Sequence, residues 1–206
     1  RKEGYYFADV TVDQAALLGQ QQVIYRIVEG PRVTLRKIRF EGNEHFSDWW
    51  LRQQITTSAR LWPFIAGRLD IEQIEQDAQD LRNLHVAEGF LDAEVGRLLE
   101  FSEDKTSATL TFVIREGPRY RVHEVLFRGN TVFAGEELAG RLQLGQGQFF
   151  TALKLQRDVR RVEETYGEIG YIEARVEVRK QFLDPGAPPP EWARDMDPPP
   201  ALLNVV

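Results

Sequence analysis

The chain has no cysteine among its 206 residues. That excludes disulfides, thiolate nucleophiles and cysteine-ligated metal, yet leaves the compartment open, because cytosolic and periplasmic proteins alike can lack it. Histidine is nearly as scarce: His45, His85 and His123 sit at no metal-like spacing and have no second ligand close in sequence. They read as structural or surface residues, and no metal site is expected. No apolar run approaches the ~20 residues of a membrane-spanning helix. Lysine and arginine (26) are outnumbered by aspartate and glutamate (32), and no basic block in the sequence overrides the net charge of −6. A nucleic-acid partner is therefore disfavoured. Gly-x-Ser-x-Gly is missing, as is a phosphate-binding glycine loop between a strand and a helix. The acidic pairs Asp77/Asp80 and Asp195/Asp197 read as solvated, the first on the outer side of a helix and the second in a proline loop. The expectation is a non-enzyme with no catalytic residue and no cofactor.

What the chain does have is an internal repeat. Gly30-Pro31-Arg32-Val33 opens a strand-like run that ends Phe40-Glu41-Gly42-Asn43, and Gly117-Pro118-Arg119-Tyr120 opens a near copy that ends Phe127-Arg128-Gly129-Asn130, 87 positions later (117 − 30). A repeat sets how everything else is read. A third landmark, glycine followed by aromatic or aliphatic residues, recurs at Gly4-Tyr5, Gly89-Phe90 and Gly170-Tyr171. In each case the glycine suits the end of a helix and the residues after it suit the start of a strand. Three segments follow: 1–30, the tail of a truncated repeat; 31–117, a complete unit; and 118–206, a second unit with a proline-rich insertion at 184–200 and a shortened last strand. Starting without Met and stopping in what looks like mid-strand, the sequence reads as a cut-out of something longer.

Within the first complete unit, a strand over about 33–41 leads to Ser47, a plausible N-cap, and a short helix carrying Leu51 and Ile55 on one face. The second unit keeps the pair as Leu138 and Leu142. A turn-rich connection, 56–67, precedes a longer helix over about 69–88 whose stripe should be Ile74, Ala78, Leu81 and His85. Leu155, Val159, Val162 and Tyr166 repeat that stripe 81 positions on. Two strands close the unit, 92–101 and 108–116, joined by a polar turn at 102–107. In the second unit the matching edge strand is expected over 172–180, with Ile172, Ala174, Val176 and Val178 inward and Glu173, Arg175, Glu177 and Arg179 outward. Asp184 to Pro200 should stand as an extended, semi-rigid loop that folding can spare.

The fold class is thus α+β: tandem strand-helix-helix-strand-strand units, each a three-stranded mixed sheet with two helices packed on one face, the last strand central and parallel to the first. That order leaves 92–101 and 172–180 at sheet edges, with a row of backbone groups facing solvent. Ala93, Val95, Arg97 and Leu99 on one edge, and Glu173, Arg175, Glu177 and Arg179 on the other, are the candidate docking residues for an added strand. Trp49 and Trp50 cannot both share the core face of a helix, since neighbours point about 100° apart. The readings are a ring packed on a neighbouring unit or on Trp62 and Phe64, or a partner contact. Gly30-Pro31 and Gly117-Pro118 are the candidate interdomain joints, restricted by proline. The element order also fits a KH-type RNA-binding module, but the one Gly-x-x-Gly, at 167–170, falls at a helix end and carries an acid.

Taken together, the Phe-x-Gly-Asn strand ends, Phe46 and Phe133, the Leu51/Ile55 and Leu138/Leu142 pairs, the Gly-aromatic starts and the Glu-Gly-Pro ends resemble POTRA domains of BamA-like outer-membrane β-barrel assembly factors. The resemblance implies a periplasmic scaffold without catalytic activity, tethered to the outer membrane through its own downstream membrane barrel. Its implied partners are unfolded outer-membrane proteins and accessory assembly subunits. A two-partner secretion transporter is the alternative within the superfamily.

Overall fold

A computed structural model describes residues 4–12, 23–59, 67 and 69–206. The chain forms two compact units, Arg1–Arg82 with Val95–Arg115, and Asn83–Glu94 with Glu116–Val206.

In the first unit, β1 (Asp9–Val12) and β2 (Tyr25–Val28) make a two-stranded antiparallel ribbon, every residue of which is exposed. A three-stranded sheet follows, built from β3 (Thr34–Glu41), β4 (Glu94–Phe101) and β5 (Ser107–Arg115) in the order β3-β5-β4. The last strand is central and parallel to the first, with Phe40 opposite Phe112, as the sequence order requires. Strict alternation would bury Leu35, Lys37 and Arg39. An irregularity in the β3–β5 register between Leu35 and Lys37 resets the phase, so that Leu35, Ile38 and Phe40 point inward instead.

Helix α1 (Asp48–Gln54) starts where the Ser47 hydroxyl accepts the Trp50 N–H, and the cost of losing such a cap is about 1 kcal/mol. Leu51 is fully buried, but Ile55 lies one residue past the helix in extended conformation, so the expected pair is not one helical face. Helix α2 (Ile71–Ala87) carries the expected stripe: Ile74, Ala78, Leu81 and His85 are all buried. Asp70 caps it, accepting the Glu72 and Gln73 N–H groups.

Asp77 overturns its reading as a solvated residue. It is 1% exposed and accepts the backbone N–H groups of Thr56 and Thr57 at 3.0 and 2.8 Å, with Gln73 Nε2 also at 3.0 Å. A helix residue thereby satisfies the N–H groups of the chain leaving α1, which turns extended at Ile55 and carries them away from the last helical carbonyls. The connection holding Trp62 and Phe64 lies outside the described residues. Between β4 and β5 the turn is closed by Asp104, which accepts Ser102 Oγ at 2.6 Å and the Thr106 N–H and hydroxyl at 3.1 and 2.8 Å. Those bonds, the Ser102 one foremost, hold its carboxyl below the usual carboxylate range.

The second unit repeats the plan with β6 (Arg121–Val125), α3 (Gly135–Ala139), α4 (Ala152–Gly167), β7 (Lys180–Phe182) and β8 (Leu202–Val205), in sheet order β6-β8-β7. The bulge recurs between Val122 and Glu124, 87 positions on. So does the buried carboxylate: Asp158 accepts the Gln143 and Leu144 N–H groups at 2.7 and 2.8 Å. Leu138 is buried on α3, while Leu142 falls beyond the helix and is half-buried.

Two expectations fail here. The edge strand over 172–180 shrinks to Lys180–Phe182, and Ile172, read as inward, is 87% exposed. The reason lies in the register: Lys180 faces Val205 and Arg179 bonds Val206 in both directions, so residues before Arg179 face register positions past Val206. Inward and outward alternation survives over 174–179 without a ladder, with Ala174, Val176 and Val178 half-buried and Arg175, Glu177 and Arg179 exposed. The proline-rich insertion is not a free-standing loop either. A short 3-10 turn (Glu191–Ala193) folds back, Ala193 is fully buried, and Trp192 stacks on His123 with Gly147 beneath it.

Candidate functional site: sheet edges and an exposed tryptophan

Strand β4 is at the edge of its sheet, because β5 takes the central place by pairing parallel with β3. Its residues divide by face. Val95 and Leu99 are half-buried, and Arg97 reaches Glu75 of α2 at 2.7 Å, so this row belongs to the helix side. Ala93 precedes the strand, in the turn its N–H closes with Phe90, and is fully buried. It offers no side chain to a partner, which corrects its place among the docking residues. The opposite row, Glu94, Gly96, Leu98 and Glu100, was missed, although strand alternation from Val95 and Leu99 implies it. Leu98 is 51% exposed and Val113 of the neighbouring strand 45%, giving the open face two apolar side chains beside the edge. Arg39 and Glu100 form a loose ion pair there at 3.9 Å. At the far end of β4, Phe101 meets the rings of Tyr6 and Phe7 at 4.8 and 5.0 Å.

The second candidate edge, Glu173, Arg175, Glu177 and Arg179, is an exposed row on extended chain rather than on a strand. The Val176 N–H goes to the Glu163 carboxylate of α4 at 3.3 Å, and the Ala174 N–H to Tyr171.

The tryptophans part company as their spacing on a helix demands. Trp50 stacks on Phe46 at 4.4 Å, nearly parallel, whereas Trp49 is 70% exposed. Unit two has Glu136 and Glu137 at the matching places, and Glu137 pairs with Arg141 at 2.9 Å. The tryptophan pair is therefore not a requirement of the repeat. Gly30 and Gly117 both take left-handed backbone, φ +69° and +70°, with Pro31 and Pro118 exposed after them.

Among the described residues no group of histidine, aspartate and glutamate could hold a metal ion, and no helix is long and apolar enough to cross a membrane. His85 is buried with Nε2 3.5 Å from Glu116. His45 packs edge-on to Phe46 and His123 lies on Trp192, so the three histidines are placed by packing.

A family model described as POTRA, surface antigen variable number repeat, matches residues 33–117 and again 120–193. The chain belongs to the POTRA family. Among curated relatives, the outer membrane protein assembly factor BamA of Nitratidesulfovibrio vulgaris is 27% identical over 191 residues, covering 88% of this chain and 24% of that protein. A putative outer membrane protein assembly factor of Treponema pallidum is 25% identical over 174 residues, covering 82% and 21%. The chain thus spans about a fifth to a quarter of the length of these relatives. Among solved structures, Haemophilus influenzae BamA POTRA3-5 aligns with 99% of this chain and 74% of its own at TM-score 0.52 and 19% identity. BamA of Haemophilus ducreyi lacking POTRA domains 1-3 aligns with 84% of this chain and 28% of its own, also at 0.52, with 17% identity. These likenesses show the fold: the order of strand, two helices and two strands builds each of the two three-stranded sheets here.

Proposed function

We propose that this chain is the periplasmic POTRA region of an outer-membrane protein assembly factor, a scaffold without catalysis whose barrel lies elsewhere in the full protein. Its relatives' names support the assembly role. In this reading the repeats run over 31–117 and 118–206, after the tail of another at 1–30, with Gly30-Pro31 and Gly117-Pro118 as joints. Unfolded outer-membrane proteins add a strand to β4 and, in the second repeat, to 173–179, while Trp49 anchors an accessory subunit.

The observation that carries the reading is β4 itself, an edge strand of eight residues with Leu98 exposed on its open face. Main-chain pairing to such an edge is nearly indifferent to sequence, which suits a factor serving many clients, and it gives weak affinity because each contact is generic. An isotope-labelled chain titrated with an extended peptide of alternating apolar residues should show amide shifts along 94–101. Leu98→Pro and Leu99→Pro then separate the two sides of the strand, since neighbouring N–H groups point opposite ways. One variant should keep the fold and lose the peptide shifts. Shifts that instead cluster around Trp49 on α1 and spare β4 would defeat strand addition and point to a helix-side contact.

A further inference from the structure

The exposed side of α4 carries an arginine cluster that neither a sheet edge nor the tryptophan contact involves. Arg157, Arg160 and Arg161 lie within one turn and a residue of each other on the helix, and Arg141, just past α3, lines the same open pocket of about 220 Å³. Two carboxylates share the lining, Asp158 and Glu164, so the four guanidinium groups leave a surplus of two positive charges in a chain whose net charge is −6. Arg157, Arg160 and Arg161 form no ion pair with any described residue. Glu164 stands at i+4 from Arg160 and i+3 from Arg161, yet pairs with neither. Like charges at i, i+4, as in Arg157 and Arg161, weaken a helix rather than support it.

The pocket has fixed walls. Asp158 is buried and accepts the Gln143 and Leu144 N–H groups at 2.7 and 2.8 Å, which pins the segment after Arg141 against α4. Arg141 is itself held by Glu137 at 2.9 Å and lies over the Phe133 ring. A guanidinium has five N–H donors, so that pair leaves others available. The first repeat shows that the fold does not require the cluster. At the stripe's offset of 81, α2 has Gln76, Gln79 and Asp80 in place of the three arginines, and Gln54 stands 87 positions before Arg141. Gln76 donates to Asp80 at 2.9 Å, so that surface is neutral to acidic and closed on itself. The buried carboxylate that pins the segment is common to both repeats, whereas the four positive charges belong to the second alone.

We infer that this pocket is an anion site for a dianionic phosphate group, either the free ion or a phosphomonoester headgroup. A phosphomonoester carries about −1.5 to −2 at neutral pH, which matches the surplus of the lining, whereas one carboxylate would leave half of it uncompensated. Arginine forks pair with phosphate oxygens through parallel N–H donors, a geometry that glutamine and lysine do not offer. At about 220 Å³ the pocket is smaller than the ~300–1,000 Å³ of drug-sized ligand sites, a size for an ion or a headgroup and not for a whole cofactor. The site uses no strand edge, so it stands or falls apart from strand addition at β4.

The test titrates the isotope-labelled chain with inorganic phosphate at an ionic strength held constant with sodium chloride, following the arginine Nε–H signals. The expected result is saturable shifts at Arg141, Arg157, Arg160 and Arg161, together with the Gln143 amide. Arg157→Gln with Arg160→Gln installs the residues that α2 has at those places, so the amide spectrum of the buried stripe should stay unchanged while phosphate binding weakens about tenfold or more. Vesicles of phosphatidylcholine and phosphatidic acid in equal parts, set against phosphatidylcholine alone, separate the sources. A response at lower phosphate concentration than the free ion needs assigns the site to a headgroup; a response to inorganic phosphate alone assigns it to the ion. Absence of shifts with both probes overturns the inference, as do shifts that never saturate or that survive in the double variant. A polyglutamate peptide that perturbs the same arginines where phosphate does not also overturns it, in favour of an acidic protein partner.

Discussion

The two repeats carry the same landmarks at fixed offsets, but the last two strands of the first are joined by a short polar turn and those of the second by the proline-rich insertion at 184–200, which buries Ala193. The turn of the first is closed by hydrogen bonds to Asp104; the insertion of the second folds back through a short 3-10 turn, with Trp192 stacked on His123. Other devices are identical in both: the bulge at Arg36 and at His123, the carboxylates Asp77 and Asp158, and the asparagines Asn43 and Asn130 whose side chains bond the Phe46 and Phe133 carbonyls. The comparison separates two kinds of specification. Turns and helix-to-loop hydrogen bonds form with partners close in the fold, and they persist. The link between the last two strands carries no such shared device, and it differs.

The largest expected contrast is at the paired glycines. Gly42→Ala drives a Cβ into the Ile114 carbonyl and should destabilise the first unit by more than about 4 kcal/mol, because backbone and not a flexible side chain must move. Gly129→Ala meets only the left-handed backbone and should lose about 1–2 kcal/mol. Urea unfolding followed residue by residue by hydrogen exchange reads both; equal losses would break the contrast.

At the carboxylates the repeats should agree. Asp77→Ala and Asp158→Ala each strand two backbone N–H groups, so each should lower its own unit by about 2–4 kcal/mol. A large loss at one position and none at the other would show that the hydrogen bonds are shared in form but not in energy.

A smaller effect marks what the second repeat alone possesses. Trp192→Ala removes a half-buried ring stacked on His123 and should lower the second unit by about 1–2 kcal/mol. Replacing 184–200 by Asn-Gly also removes the buried Ala193 and should lower the melting temperature. An unchanged melting temperature would mean that the insertion is ornamental after all.

The smallest effect is confined to alkaline pH. Tyr120 donates to Asp92 at 2.8 Å, and burial first, then that bond and the nearby negative charge, push its hydroxyl up to about 12 from 10. Folding therefore favours the protonated phenol. Its contribution is complete below pH 10 and is lost as the pH rises from 10 towards 12. Tyr120→Phe should flatten the stability profile in that window relative to the parent; identical slopes would remove Tyr120 as the cause.

Much of the candidate site was legible. Ser47 as cap, the buried stripe through His85 and the edge position of β4 follow from local preference, from 3.6-residue spacing and from the pairing order. What escaped was burial that depends on a distant partner. Asp77 resembles any helix carboxylate until the N–H groups of Thr56 and Thr57 are placed beside it, although its recurrence as Asp158, at the stripe's own offset of 81, was a signal in plain view. Trp192 was hidden by its proline-rich flanks. Ala93 was assigned to the edge because the strand begins at Glu94, two residues later than the expected 92–101.

By itself, the sequence determined the repeat, the α+β order and the placing of turns, since these rest on contacts within a few residues and on side-chain periodicity, both of which are written along the chain. Tertiary structure alone decided which apolar residues are covered. Trp192 and Ala193 sit among prolines that read as an open loop, yet Trp192 stacks on His123 and Ala193 is fully buried. Periodicity fixes which face a residue takes, whereas burial requires another segment to lie across that face.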